Sequence, residues 1–146
     1  MTWFTLVAAS IIAAPMGLWL AGVGPAVMLV VNASALILTL RLYAVAAGLA
    51  RNRIHLMWLG LFSGLIGGLA VELLLHVRGA ADLATAFSAY ASLGAEMYRL
   101  DIINPWWPFA FVVLNGLFYA GIALLVGHLV QYRRRILGLE DNASPR

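Results

Sequence analysis

"GLFSGLIGGLAVELLLH", residues 60–76, is the stretch whose reading decides the fold. Its glycines Gly60, Gly64 and Gly68 step by four, and the same step lands on Glu72 and His76. Residues four apart on an α-helix advance by about 400°, so these five positions form one slowly drifting ridge. Within lipid there is little hydrophobic drive for helices to associate. Close backbone approach supplies the attraction instead, and small-xxx-small runs permit it. The ridge is therefore a protein-facing surface, whether the neighbour belongs to this chain or to another. Its continuation at Glu72 and His76 is turned from lipid as well. That placement makes physical sense, because a charged side chain at mid-bilayer costs some ~2.5–3.5 kcal/mol on insertion scales.

The rest of the chain agrees that the bilayer is the solvent. Of its 146 residues, 64% are hydrophobic and 10% charged, against roughly 45–50% and 25% in soluble domains. A soluble fold of this size has too few charges to cover so much apolar surface. The net charge of +3 comes from arginines scattered over several short segments, a pattern that bears on membrane orientation and not on nucleic-acid binding. There is no cysteine, which excludes disulfides, thiolate metal sites and cysteine nucleophiles. There is no lysine either, which excludes a Schiff base and a phosphate-loop lysine. Arginine-only basicity with abundant Ala, Gly and Leu suits a GC-rich bacterial genome, and hence a bacterial cytoplasmic (inner) membrane.

Four segments meet the need for about 20 mostly apolar residues. The expected spans are residues 3–21, 26–48, 56–77 and 105–131, forming an all-α bundle of four transmembrane helices within a single unit over residues 1–137. The N-terminal stretch lacks a basic leader region and reads as a retained span with Pro15 as a kink. "GVGP" (22–25) is a turn with Pro25 opening the next helix, and "NPWWP" (104–108) offers Asn104 as a cap with Pro105 behind it. Arg51, Arg53, Arg133, Arg134 and Arg135 fall on one side, against Arg78 and Arg99 on the other. Five against two makes the first side cytoplasmic, with both termini inside. Trp106 and Trp107 mark the outer interface and Trp58 the inner one. Residues 80–100 are too polar to span but place Leu83, Phe87, Tyr90 and Met97 on one side of a helix. An amphipathic interfacial helix between spans three and four is expected there. Residues 138–146 read as a short polar tail.

Few residues are suited to chemistry. Glu72 and His76 can share a hydrogen bond at their spacing, and Arg78, Glu96 and Arg99 can complete a polar cluster at the outer mouth. One reading makes this cluster a structural pin. Another makes it a proton, quinone or metal site, with Glu72, His76 and Glu96 as metal-ligand candidates. His55 and His128, both toward the cytoplasmic side, are weak candidates for ligating haem b. Asn32, Ser34 and Thr39 in span two, and Asn115 and Tyr119 in span four, can bond neighbouring helices. Arg41 can snorkel toward the cytoplasm. Gly116 and Ala120 give span four a small surface for packing. No Ser-His-Asp order, HExxH, phosphate loop or carboxylate pair within one span is present.

The function expected from this sequence is a non-catalytic packing or accessory subunit of a larger membrane complex, or a homo-oligomer. No nucleic-acid binding is expected, and the cofactor is left open, with none favoured over haem b or a quinone. The alternatives are a redox or proton-handling subunit using Glu72 and His76 with haem b or a quinone, and an oligomeric small-solute transporter.

Overall fold

A computed structural model describes residues 2–50, 52–78 and 106–137. All its regular structure is helical: α1 (Thr2–Leu20), α2 (Pro25–Leu49), α3 (Arg53–Arg78) and α4 (Trp107–Ile136). The expected interfacial helix over 80–100 and the tail over 138–146 lie outside the described residues.

The helix boundaries have local causes. The chain turns at Ala21 and Gly22, where Gly22 has φ +79, a left-handed conformation that a side chain would strain. Gly24 then caps α2 in an extended conformation and Pro25 opens the helix, where its missing N–H costs nothing. The start of α3 falls three residues before the apolar run suggests. The Asn52 side-chain oxygen accepts from the Ile54 N–H at 3.1 Å, an N-cap that holds Arg53 and His55 in the first turn. In α4 Pro108 occupies the first turn; the expected cap Asn104 and Pro105 lie outside the described residues. The helix also runs beyond residue 131. Arg133, Arg134 and Arg135 form its last turn, where positive charge complements the helix dipole.

Packing places α3 between α1 and α4. The remaining helix, α2, closes the ring by lying on α1 and α4, with only a narrow contact to α3. The surfaces are the reverse of a soluble protein's. Leu29, Val30, Leu69, Leu73, Leu117 and Leu125 point outward, while Thr5, Asn32, Thr39, Ser63, Glu72 and Asn115 are buried. Three helices, over Ala26–Leu49, Arg53–Leu73 and Pro108–Ile136, are long and apolar enough to cross a membrane. The described apolar stretch of α1, Thr2–Pro15, is shorter.

Candidate functional site

The neighbour of the glycine ridge is α4 of the same chain. A Cβ built on Gly60 would run into the Tyr119 carbonyl oxygen and stand 2.7 Å from the Ala120 Cα. One on Gly64 would stand 2.6 Å from the Asn115 carbonyl oxygen and 2.8 Å from the Gly116 Cα. At Gly68 it would meet the Asn115 side chain at 3.1 Å. Backbone lies against backbone over two turns, a contact available only to glycine. The interface is reciprocal. Gly116 makes room for Leu65, and Gly127 for Leu56. One residue off the ridge, Gly67 faces α1, where Ile12 fills the space beside it at 2.7 Å from a would-be Cβ. The small residues of α3 thus serve two neighbours at once.

Polar side chains tie these apolar surfaces together. Asn115 donates from its amide to the Gly64 carbonyl at 2.7 Å. Tyr43 of α2 and Ser63 of α3, both fully buried, share a short hydrogen bond. Ser63 passes its own proton to the Gly60 carbonyl at 3.0 Å, so Tyr43 is the donor to Ser63. Near the opposite helix ends, Arg53 donates to the Gln131 side chain at 3.0 Å and Arg134 to the Gly48 carbonyl at 3.2 Å. These two bonds fasten the ends of α3 and α2 to the end of α4.

Among the described residues, Asn32 and Thr39 bond within their own helix and not to a neighbouring one. The Asn32 amide donates to the Met28 carbonyl at 2.7 Å and the Thr39 hydroxyl to the Ala35 carbonyl at 2.9 Å, each one turn back along α2. Short polar side chains in helices commonly fold back in this way. Ser34 and Arg41 are exposed on the outer surface of α2.

Glu72 is buried at 6% exposure, one turn beyond Gly68 on the ridge. His76 and Arg78 lie on the last turns of the same helix, but their side chains are outside the described set, as are Glu96 and Arg99 entirely. The proposed cluster is therefore represented by Glu72 alone. His55 at the start of α3 and His128 near the end of α4 are both exposed. Trp58 is exposed and stacks on Phe62 with ring centroids 5.4 Å apart; Trp106, the exposed residue that precedes α4, lies beside Phe109.

Tyr43, Gln131 and Gly48 carry contacts that the residue pattern alone did not disclose. Tyr43 had a signal: it continues the 32–39 line of polar residues on α2 at helical spacing, which places it inward.

Three helices long and apolar enough to cross a bilayer, with polar groups inside and leucines outside, point to an α-helical integral membrane protein. No protein-family model, curated protein or solved structure matches the chain.

Proposed function

We propose that this chain is a four-span protein of a bacterial inner membrane. In this reading both termini are cytoplasmic, and the chain acts as a non-catalytic subunit packed within a larger membrane assembly or against its own copies. Gly121 carries this reading. Each of the other described glycines in the middle of α3 and α4 has a neighbouring-helix atom where a Cβ would go. Gly121 has nothing within 4 Å. A mid-helix glycine costs about 0.8–1 kcal/mol relative to alanine in helix propensity, and no contact among the described residues accounts for it. On α4 it lies seven residues after Leu114 and seven before His128, all three on the outward surface. A notch of this kind suits the close approach of a helix from another chain.

The test is the native mass in mild detergent. Wild type is expected above the 15.7 kDa of a single chain, and Gly121→Leu is expected to fall to it. A wild-type protein that runs as a single chain overturns the reading. Because the chain lacks cysteine, Leu117→Cys offers a second measurement through cross-linking across the same surface.

A second reading rests on Glu72, an acid buried at 6% exposure within the apolar run of α3. It makes the chain a proton-handling subunit, with a quinone or haem b as the redox partner, or an oligomeric transporter coupled through that carboxylate. Proton-coupled activity lost in a normally folded Glu72→Gln protein would favour it.

A further inference from the structure

Where α2 stands away from α3, a cavity of about 320 Å³ is left between α1, α2 and α4. Ile12 and Pro15 wall it on α1, and Phe118 and Tyr119 on α4. Its size is at the lower end of the range of small-molecule sites, roughly 300–1,000 Å³. Leu29 and Leu36 form its rim on α2, and both are exposed outward, so the cavity is reached sideways from the bilayer. An apolar cavity without polar groups would stay empty or take any small hydrocarbon. This one has polar groups, contributed by Asn32 and Thr39.

Their bonding states decide what the cavity asks for. Asn32 is 9% exposed, and one of its two amide N–H groups donates to the Met28 carbonyl. Its carbonyl oxygen, Oδ1, is enclosed and accepts no hydrogen bond from the described residues. The Thr39 hydroxyl proton is spent on the Ala35 carbonyl, which leaves its oxygen with accepting capacity only. The enclosed atom left unpaired at the site is therefore an acceptor, and a donor on an occupant would satisfy it. The amide torsion of Asn is broad, so Oδ1 can turn toward an occupant without leaving its rotamer well. The Phe118 and Tyr119 rings stand edge to face, with centroids 5.5 Å apart, and give the far wall an aromatic surface suited to a flat ring.

We propose that this cavity binds a flat, membrane-dissolved apolar molecule carrying a hydroxyl group, with the hydroxyl donating to Asn32 Oδ1. The site prefers an alcohol or phenol over the corresponding ether, because the hydroxyl supplies the proton that Oδ1 lacks. This inference stands apart from the assembly role and does not involve Glu72.

The experiment uses two probes of nearly equal shape, 4-fluoro-1-naphthol and its methyl ether, titrated into the protein in lipid nanodiscs and followed by fluorine NMR. The naphthol is expected to bind saturably and roughly three- to tenfold tighter than the ether, the worth of one net hydrogen bond. Asn32→Leu is expected to erase that preference while keeping the helical signal, since it removes an orphaned amide. Ala35→Leu, which fills the cavity from α2, should abolish saturable binding of both probes. Equal wild-type affinities for the two probes would overturn the proposal, and so would the absence of saturable binding or a preference that survives in Asn32→Leu. The wild-type comparison needs no variant to fold.

Discussion

The Asn115 amide reaches the Gly64 carbonyl oxygen because the residue four positions on is Gly68. On a helix each Cβ leans toward the N-terminus and screens the carbonyl one turn back. At position 68 there is no Cβ, and one placed there would stand 3.1 Å from the Asn115 nitrogen that makes the 2.7 Å bond. Gly60 shows the same relation. Its carbonyl accepts from Ser63 at 3.0 Å, and Gly64 lies one turn further on. The ridge glycines thus bring two backbones together and also uncover carbonyls for a second hydrogen bond.

Gly64→Ala is expected to destabilise the protein by about 1–3 kcal/mol, the usual range for overpacking, and to fall at its upper end. The new methyl would stand 2.6 Å from the Asn115 oxygen and 2.8 Å from the Gly116 Cα, and backbone cannot swing aside as a side-chain tip can. Gly121→Ala meets nothing within 4 Å and should leave unfolding of the single chain unchanged or slightly improved. Denaturant unfolding in detergent compares them. Equal effects would mean that α3 and α4 do not touch along this line.

Asn115→Leu should cost less. The Gly64 carbonyl keeps its bond within α3 when the Asn115 amide is removed, so no buried acceptor is orphaned. The loss is then one interhelical hydrogen bond, about 0.6 kcal/mol on average in measured membrane cases. A loss as large as that of Gly64→Ala would show that Asn115 has a further role at this interface.

The spacing of the small residues made the close-packed face legible, and the turn residues made the α1–α2 connection legible. The address of that face was not legible. A glycine ridge states that a backbone will come near, and many helices can supply one; only the tertiary fit selects α4 for Gly64 and α1 for Gly67. Asn115 was recognisable as a buried hydrogen-bonding residue because a membrane helix offers it no water. Asn32 and Thr39 carry the same signal and yet satisfy themselves within α2, since one type of side chain supports both outcomes. Asn52 as a cap was overlooked because the neighbouring arginines make that segment read as a loop. Of the candidate polar cluster, the burial of Glu72 followed from its place on the ridge.

Tyr43 and Ser63 give a third measurable quantity. Tyr43→Phe and Ser63→Ala each remove one half of the hydroxyl pair that joins α2 to α3. A double-mutant cycle on unfolding free energy should return a coupling of about 0.6–1.7 kcal/mol. Zero coupling would mean that the two hydroxyls are independently satisfied and that α2 is held by its contacts with α1 and α4 alone.

Orientation is testable without purified protein. Reporter fusions after Arg53 and after Arg135 should read cytoplasmic, and a fusion near residue 91 external, if the five arginines on one side set the topology. An external signal at Arg135 together with a cytoplasmic one at Arg53 would put an odd number of crossings between them and overturn the four-span reading.

Glu72 separates the two functional readings. It follows Gly68 by one turn on α3, and it is buried at 6% exposure. A carboxylate in such a place persists only if its surroundings satisfy it, and removing one partner of a truly buried charge pair costs about 3–5 kcal/mol. Water near the membrane interface reduces that figure. If the residue is structural, Glu72→Gln should lower the unfolding midpoint moderately, since an amide keeps the shape and part of the hydrogen bonding. Glu72→Leu should lower it further, because the groups that face the carboxylate would then be left unsatisfied. If the residue handles protons, Glu72→Gln should unfold like wild type while the assembly loses its proton-coupled activity. Unfolding and activity measured side by side on this one conservative variant distinguish the readings. A Glu72→Gln protein normal in both measurements would remove every role assigned here to the carboxylate and leave the glycine interface as the whole purpose of the ridge.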